Sequence, residues 1–140
     1  MNVDFVYNTD FKLNNEIETT QWINTFCKSE GFSIDSLVFA FFNDNELKDL
    51  NIRFLNHDYF TDVISFDESY NGFVKGNIAI SIDRVKENAS EFSCSFDDEL
   101  RRVIIHGVLH FMGFNDKTDD EKKKIKEKEN FAIEMFHVKR

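Results

Sequence analysis

The sequence predicts an α+β domain, a sheet of about four strands packed with about five helices. Three observations carry that expectation. Short runs of strand length recur at four places, amphipathic stripes fill the stretches among and after them, and cap residues precede several of those stripes. Strands and helices alternate irregularly, which suits a layered α+β or α/β sandwich around one sheet. A single domain over 1–140 accounts for all 140 residues. A domain of that size hides roughly two thirds of the surface its unfolded chain exposes.

Residues 3–7 read as the first strand. Residues 15–30 read as a helix, with Ile17, Ile23, Phe26 and Cys27 as its apolar stripe and Gly31 as the stop. Residues 37–42 form an unbroken apolar run, the pattern of a strand buried on both faces. Asn43, with Glu46 three residues later, opens a helix that turns Leu47, Leu50 and Phe54 inward. Residues 62–66 and 77–82 read as two further strands, joined by a loop with Asn71 and Gly72 at its tip. Asp83 is placed to cap a short helix ending near Phe92. Ser95, followed by Asp98 and Glu99, begins the most apolar helix, which runs to Met112. Thr118-Asp119-Asp120-Glu121 matches a capping box, and the last helix carries Ile125, Ala132 and Phe136 on one side.

Composition narrows the function classes. Hydrophobic residues at 41% and charged residues at 31% fit a soluble globular chain rather than a disordered one. The 17 Phe and the absence of Pro suggest a source with A/T-rich codons and carry no functional message. Cys27 and Cys94 form no C-x-x-C pair, so neither a disulfide framework nor a zinc ribbon is indicated. Two buried thiols in a reducing cytoplasm are expected instead. Residues 1–5 lack a positive leader region, and no run approaches the roughly 20 apolar residues of a membrane span. The expectation is a cytoplasmic protein without a membrane partner. A net charge of −9 argues against DNA and against non-specific nucleic-acid binding, because phosphate contacts need Lys and Arg. The charge is uneven. Residues 117–140 hold 8 basic and 6 acidic side chains, while residues 1–116 hold 9 basic and 20 acidic.

The chemistry concentrates in residues 105–116. His106 and His110 are four apart on the apolar helix, so both imidazoles leave one face, a turn apart. That spacing lets two ring nitrogens sit about 2.0–2.1 Å from one ion. Gly113 is placed to end the helix in a left-handed conformation. The turn brings Asp116 back as a third ligand. Three protein ligands leave a position for water, the arrangement of catalytic rather than structural zinc. A His pair at this spacing also occurs on helices that bind nothing, and Gly-x-x-Asp is what favours the metal reading. The pattern points to one divalent transition metal ion, zinc before others, used for hydrolysis. Position 107 then separates reaction classes. Zinc peptidases of the H-E-x-x-H kind place a general-base glutamate there, and this chain has Gly107, which carries no proton. The spacing also departs from the usual non-haem iron facial triad.

Three blocks carry a family resemblance: residues 106–114, residues 61–66 (Thr-Asp-Val-Ile-Ser-Phe) and residues 76–81 (Gly-Asn-Ile-Ala-Ile-Ser). In these blocks the chain resembles the bacterial YbeY family of ribosomal RNA maturation endoribonucleases, over roughly residues 47–130. The family's patterns are H-G-x-L-H-x-x-G-[YF]-D-H, T-D-V-L-S-F and G-D-I-x-I-S. The resemblance implies an α+β fold with the histidine helix at the edge of a cleft. It implies metal-dependent cleavage of single-stranded RNA, in small-subunit ribosomal RNA 3′-end maturation and ribosome quality control. His106, His110 and Asp116 then serve as both metal ligands and catalytic residues, with ribosomal RNA and the small ribosomal subunit as partners.

The departures are chemical. The family's third histidine falls at Asp116, whose carboxylate binds zinc at a similar distance. It lowers the site's charge by one and makes the site friendlier to Mn²⁺ or Fe²⁺, with Ni²⁺ a further candidate beside Zn²⁺. The family's arginine falls at Leu55, which cannot stabilise a phosphoryl oxyanion. Arg53 and His57 are the nearby substitutes, although a helical segment aims Arg53 elsewhere. Asn77 replaces an aspartate and removes a second-layer anchor. Thr61 and Ser65 are expected to line the cleft, on the resemblance alone. Lys122, Lys123, Lys124, Lys126 and Lys128 are interleaved with acids and read first as a solvated face. Arg101 and Arg102 read as structural charges, and most Phe as core. Besides an endoribonuclease, two readings stay open: a metallohydrolase on another substrate such as peptides, and a non-catalytic ribosome-associated metal protein.

Overall fold

The computed structural model describes residues 2–138. Strand β1 spans Val3–Tyr7, helix α1 Glu16–Ser29, β2 Ser33–Phe42, α2 Asp44–Leu55 and β3 Val63–Asp67. Strand β4 (Phe73–Ser81) runs directly into α3 (Ile82–Glu91), followed by α4 (Phe96–Phe111) and α5 (Asp119–Val138). The four strands form one sheet in the order β1-β2-β4-β3. β1, β2 and β4 are parallel, and β3 closes the edge antiparallel to β4.

One face of the sheet carries the main core. Leu37, Phe39 and Phe41 of β2 and Ile78 and Ile80 of β4 meet Ile23 and Phe26 of α1, Ile104 and Val108 of α4, and Ile125 of α5. Complete burial of such side chains contributes about 1.5–3 kcal/mol each, and this layer fixes α4 against the sheet. On the opposite face α2 packs through Leu47 against Ile64 and Ala79.

Several sequence expectations change. β2 begins at Ser33 and β4 at Phe73, because Ser33↔Phe73 and Ile34↔Val74 pair ahead of the apolar runs. Asn71 and Gly72, both with positive φ, turn the chain between β3 and β4. In β2 full burial alternates, with Val38, Ala40 and Phe42 only half-buried, so the strand is not sealed on both faces. Ile17 is 75% exposed, since it lies off the Thr19, Trp22, Ile23, Phe26 stripe that actually packs. Phe54 is 59% exposed, with its ring only edge-on to Phe66, and Leu50 is half-buried. Cys27 is buried as expected, but Cys94 is exposed.

The cap of α3 is Ser81, not Asp83. Ser81 Oγ accepts from the Arg84 N–H at 3.2 Å because the strand passes straight into the helix. Asp83 instead accepts from the Asp44 N–H at the start of α2. Ser95 caps α4 and Asn43 forms the expected capping box with Glu46.

Candidate metal centre

Helix α4 supplies the first two candidate ligands. Its buried face, with Val103, Ile104, Val108 and Leu109, is held by the core, which leaves His106 and His110 half-buried on its flank. The helix ends in a Schellman motif. Gly113 has φ 96°, its N–H reaches the His110 carbonyl at 3.0 Å, and the Phe114 N–H reaches the Leu109 carbonyl at 3.1 Å. Next, Thr118 Oγ1 accepts from the Glu121 N–H, and Glu121 Oε1 accepts from the Thr118 N–H, so α5 starts with the expected box. Asp116 is thus pinned between two closed helix ends and returned to the histidines.

His106 Nε2 lies 3.0 Å from His110 Nε2, and Asp116 Oδ2 lies 3.4 Å from each. Tetrahedral ligand atoms about 2.1 Å from one ion stand about 3.4 Å apart, so this triangle fits a small divalent ion. Among the described residues His106, His110 and Asp116 are the group of His, Cys, Asp or Glu that converges in this way.

A fourth residue completes the arrangement and was not foreseen. Glu129 of α5 is only 6% exposed, and its Oε2 accepts the Nδ1–H of His106 at 2.7 Å. That bond fixes the ring and leaves Nε2 with its lone pair toward His110 and Asp116. Arg102 Nη1 donates to the other Glu129 oxygen at 3.0 Å, and Nη2 donates to Asn130 at 2.9 Å. Burial opposes charge on His106, but the Glu129 hydrogen bond and the charges of Glu129, Asp116 and Asp62 outweigh it and raise its pKa. The signal for Glu129 was present in the spacing, since Ile125, Glu129, Ala132 and Phe136 form one stripe.

A cleft of about 750 Å³ opens beside this triangle, with His106 and Asp116 in its wall. Asp62 and Val63 also line it, whereas Thr61 and Ser65 do not. Burial raises the Asp62 pKa, with the His106 charge opposing, and burial likewise raises Glu99 against the pull of Arg102. Partial desolvation and the neighbouring Glu99 push the pKa of the otherwise exposed Cys94 thiol up, which disfavours it as a nucleophile. Arg53, Leu55 and His57 lie outside the cleft wall, and His57 instead bonds and stacks with Tyr59. Neither Arg53 nor His57 is therefore placed in the cleft beside His106 and Asp116. Gly107 has a packing reason as well: a Cβ there would meet Ile78 side-chain atoms at 3.0–3.1 Å. A side chain at 107 would press into β4.

Residues 6–137 match the family model described as endoribonuclease YbeY. The chain belongs to the YbeY endoribonuclease family. It is 43% identical to the Endoribonuclease YbeY of Christiangramia forsetii over 97% of this chain and 95% of that one. With the YbeY protein of Flavobacterium psychrophilum it shares 42% identity, covering 98% of each chain. The fold is similar to a Thermotoga maritima protein solved in solution, with a TM-score of 0.73 and 27% identity over 98% of this chain and 90% of that one. The YbeY match therefore extends beyond residues 47–130, into β1 and α1.

Proposed function

We propose that this chain is a zinc-dependent endoribonuclease that cuts single-stranded RNA in ribosomal RNA maturation, notably at the small-subunit 3′ end and in ribosome quality control, in the cytoplasm. The observation that carries the reading is the triangle of His106, His110 and Asp116 ligand atoms, 3.0–3.4 Å on each side, at the wall of an open cleft. Membership of the YbeY family supplies the RNA-cleaving class. No helix among the described residues is long and apolar enough to cross a membrane, which is compatible with a cytoplasmic site of action.

His106, His110 and Asp116 would hold the ion, and Glu129 would orient His106. When bound, zinc supplies Lewis-acid chemistry, polarising a phosphoryl oxygen and acidifying water. Arg102 pairs with the other oxygen of Glu129 at 3.0 Å and so steadies the carboxylate that orients His106. Asp116, in place of an imidazole, also suits Mn²⁺ or Fe²⁺. A peptidase reading is disfavoured because Gly107 packs on Ile78 and offers no base.

The test is cleavage of a single-stranded ribosomal RNA fragment by the zinc-loaded wild type and by His110→Ala, prepared side by side. Activity that disappears in the variant is expected. Equal activity in both, or none in either, would overturn the nuclease assignment and favour a binding role on the ribosome.

A further inference from the structure

We infer that Phe92, with Lys122 and Lys126, forms a nucleotide subsite in the cleft, where Phe92 stacks one base and the lysines hold its phosphates. The subsite rests on the endoribonuclease reading above. Phe92 caps α3 and Lys122 and Lys126 belong to α5, two helices that both pack on α4, and all three residues line the cleft that His106 and Asp116 also line.

Phe92 is 62% exposed, the most exposed phenylalanine among the described residues. It is nevertheless held in place. Its N–H donates to the Asn88 carbonyl at 2.9 Å, Ser93 turns the chain with φ 55°, and the Cys94 N–H closes on the Ala89 carbonyl at 3.0 Å. An uncovered ring on an anchored backbone in a cleft is a ready stacking surface, and every base offers a π-face to it.

Charge decides the role of the lysines. The cleft also contains the carboxylates of Asp62, Glu99 and Glu129, which would repel a phosphate backbone. Arg102, also in the cleft wall, is already engaged by Glu129 and Glu99. Lys128 is paired with Glu30 across the α1–α5 contact. Lys122 and Lys126, one turn apart on a shared face, make no ion pair among the described residues. They are the cleft cations left to offset the carboxylates toward a polyanion. The cavity volume lies within the roughly 300–1,000 Å³ of small-ligand sites, so the ligand is a nucleotide-sized piece of a strand rather than a duplex.

The experiment measures binding of fluorescein-labelled 2′-O-methyl hexaadenylate to the zinc-loaded protein by anisotropy, with melting temperatures and cleavage of unmodified hexaadenylate in parallel. Phe92→Ala is expected to weaken binding roughly 5- to 150-fold, the usual worth of one stacked base, and Phe92→Trp to restore it. KM should rise with kcat unchanged, because the stack is equally strong in the ground and transition states. The double variant Lys122→Gln, Lys126→Gln should lower the salt slope by roughly 0.7 for each phosphate that the lysines neutralise in the wild type. Melting temperatures should stay at the wild-type value, since all three side chains are exposed. Wild-type affinity in Phe92→Ala, failure of Phe92→Trp to restore a loss, or an unchanged salt slope would overturn the subsite while wild-type cleavage leaves the nuclease reading intact. A wild type that neither binds nor cuts the oligonucleotide would overturn that reading, and the subsite with it.

Discussion

Helices α4 and α5 meet at two histidine–carboxylate clusters, and only one of them has the makings of a metal site. Near the start of α4, Asp98 accepts from Arg101 Nη1 and from His137 Nε2, each at 2.8 Å, while the Arg101 guanidinium lies 3.7 Å from the centre of the Phe136 ring. One carboxylate there faces two donors, so the cluster closes on itself. Two to three turns on, His106 and His110, with Asp116 from beyond the helix, direct two imidazole Nε2 atoms and a carboxylate oxygen at one another. Glu129 takes the Nδ1–H of His106 from the far side. Acceptors then outnumber protons inside the triangle, and a cation relieves the excess. Proximity of His to Asp is common to both places, and the balance of donors against acceptors is what separates them.

The comparison breaks most readily at the histidines. His106→Ala should abolish zinc binding and RNA cleavage together, a loss of at least about a hundred-fold, whereas His137→Ala should change neither; metal analysis and cleavage rates check both. Glu129→Gln should weaken metal affinity roughly 10- to 100-fold, as loss of an orienting carboxylate does. The same variant sharpens the pH dependence. His106 must be neutral to bind, and its raised pKa makes metal affinity fall as pH drops through a window above the ordinary imidazole value. Removing the Glu129 charge lowers that pKa, so the window should move to lower pH in a competitive chelator titration.

Asp116→Ala should reduce metal stoichiometry, and Asp116→His should restore it with zinc favoured over Mn²⁺; full stoichiometry in the alanine variant would refute the carboxylate ligand. The smallest effect belongs to the closed cluster. Asp98→Asn should cost roughly 0–1 kcal/mol at neutral pH, as for other partly exposed ion pairs, with metal content unchanged. Burial works against the Asp98 charge, but His137 and Arg101 hold its pKa below the usual carboxylate value. Its contribution is therefore present above the unfolded pKa and lost as pH falls through the lower folded one. Denaturant titrations should show wild type and variant converging in acid.

Much of the centre was legible because its determinants are local. A four-residue His spacing, a left-handed Gly113 and the Thr118–Glu121 box are properties of short segments, and each formed as its sequence implies. Asn43 with Glu46 and Ser95 behaved the same way. What the sequence hid depends on distant partners. Ser33 and Phe73 join the sheet only because they face each other, although 40 positions separate them. Ile17 and Phe54 look like stripe members until the packed face is known. Ser81 displaced Asp83 as a cap because β4 and α3 share no loop. Glu129 lies on the buried stripe of α5, but its partner His106 follows only from how α5 docks on α4. The cleft, built by three helices and the start of β3 together, had no short-range signal.

The chain has one tryptophan, and its location gives the molecule a built-in optical probe. Trp22 is 2% exposed, donates its indole N–H to the Ala132 carbonyl at 2.7 Å and meets the Phe136 ring edge-on. Ala132 and Phe136 belong to the same helix as Glu129, and Ala132 lies less than one turn beyond it. Emission from this indole therefore follows the seating of α5 rather than an average of the interior. Detachment of that helix should shift the emission to longer wavelength. A stirred cuvette, with chelator added and zinc returned, would then show whether the metal and the helix leave and return together.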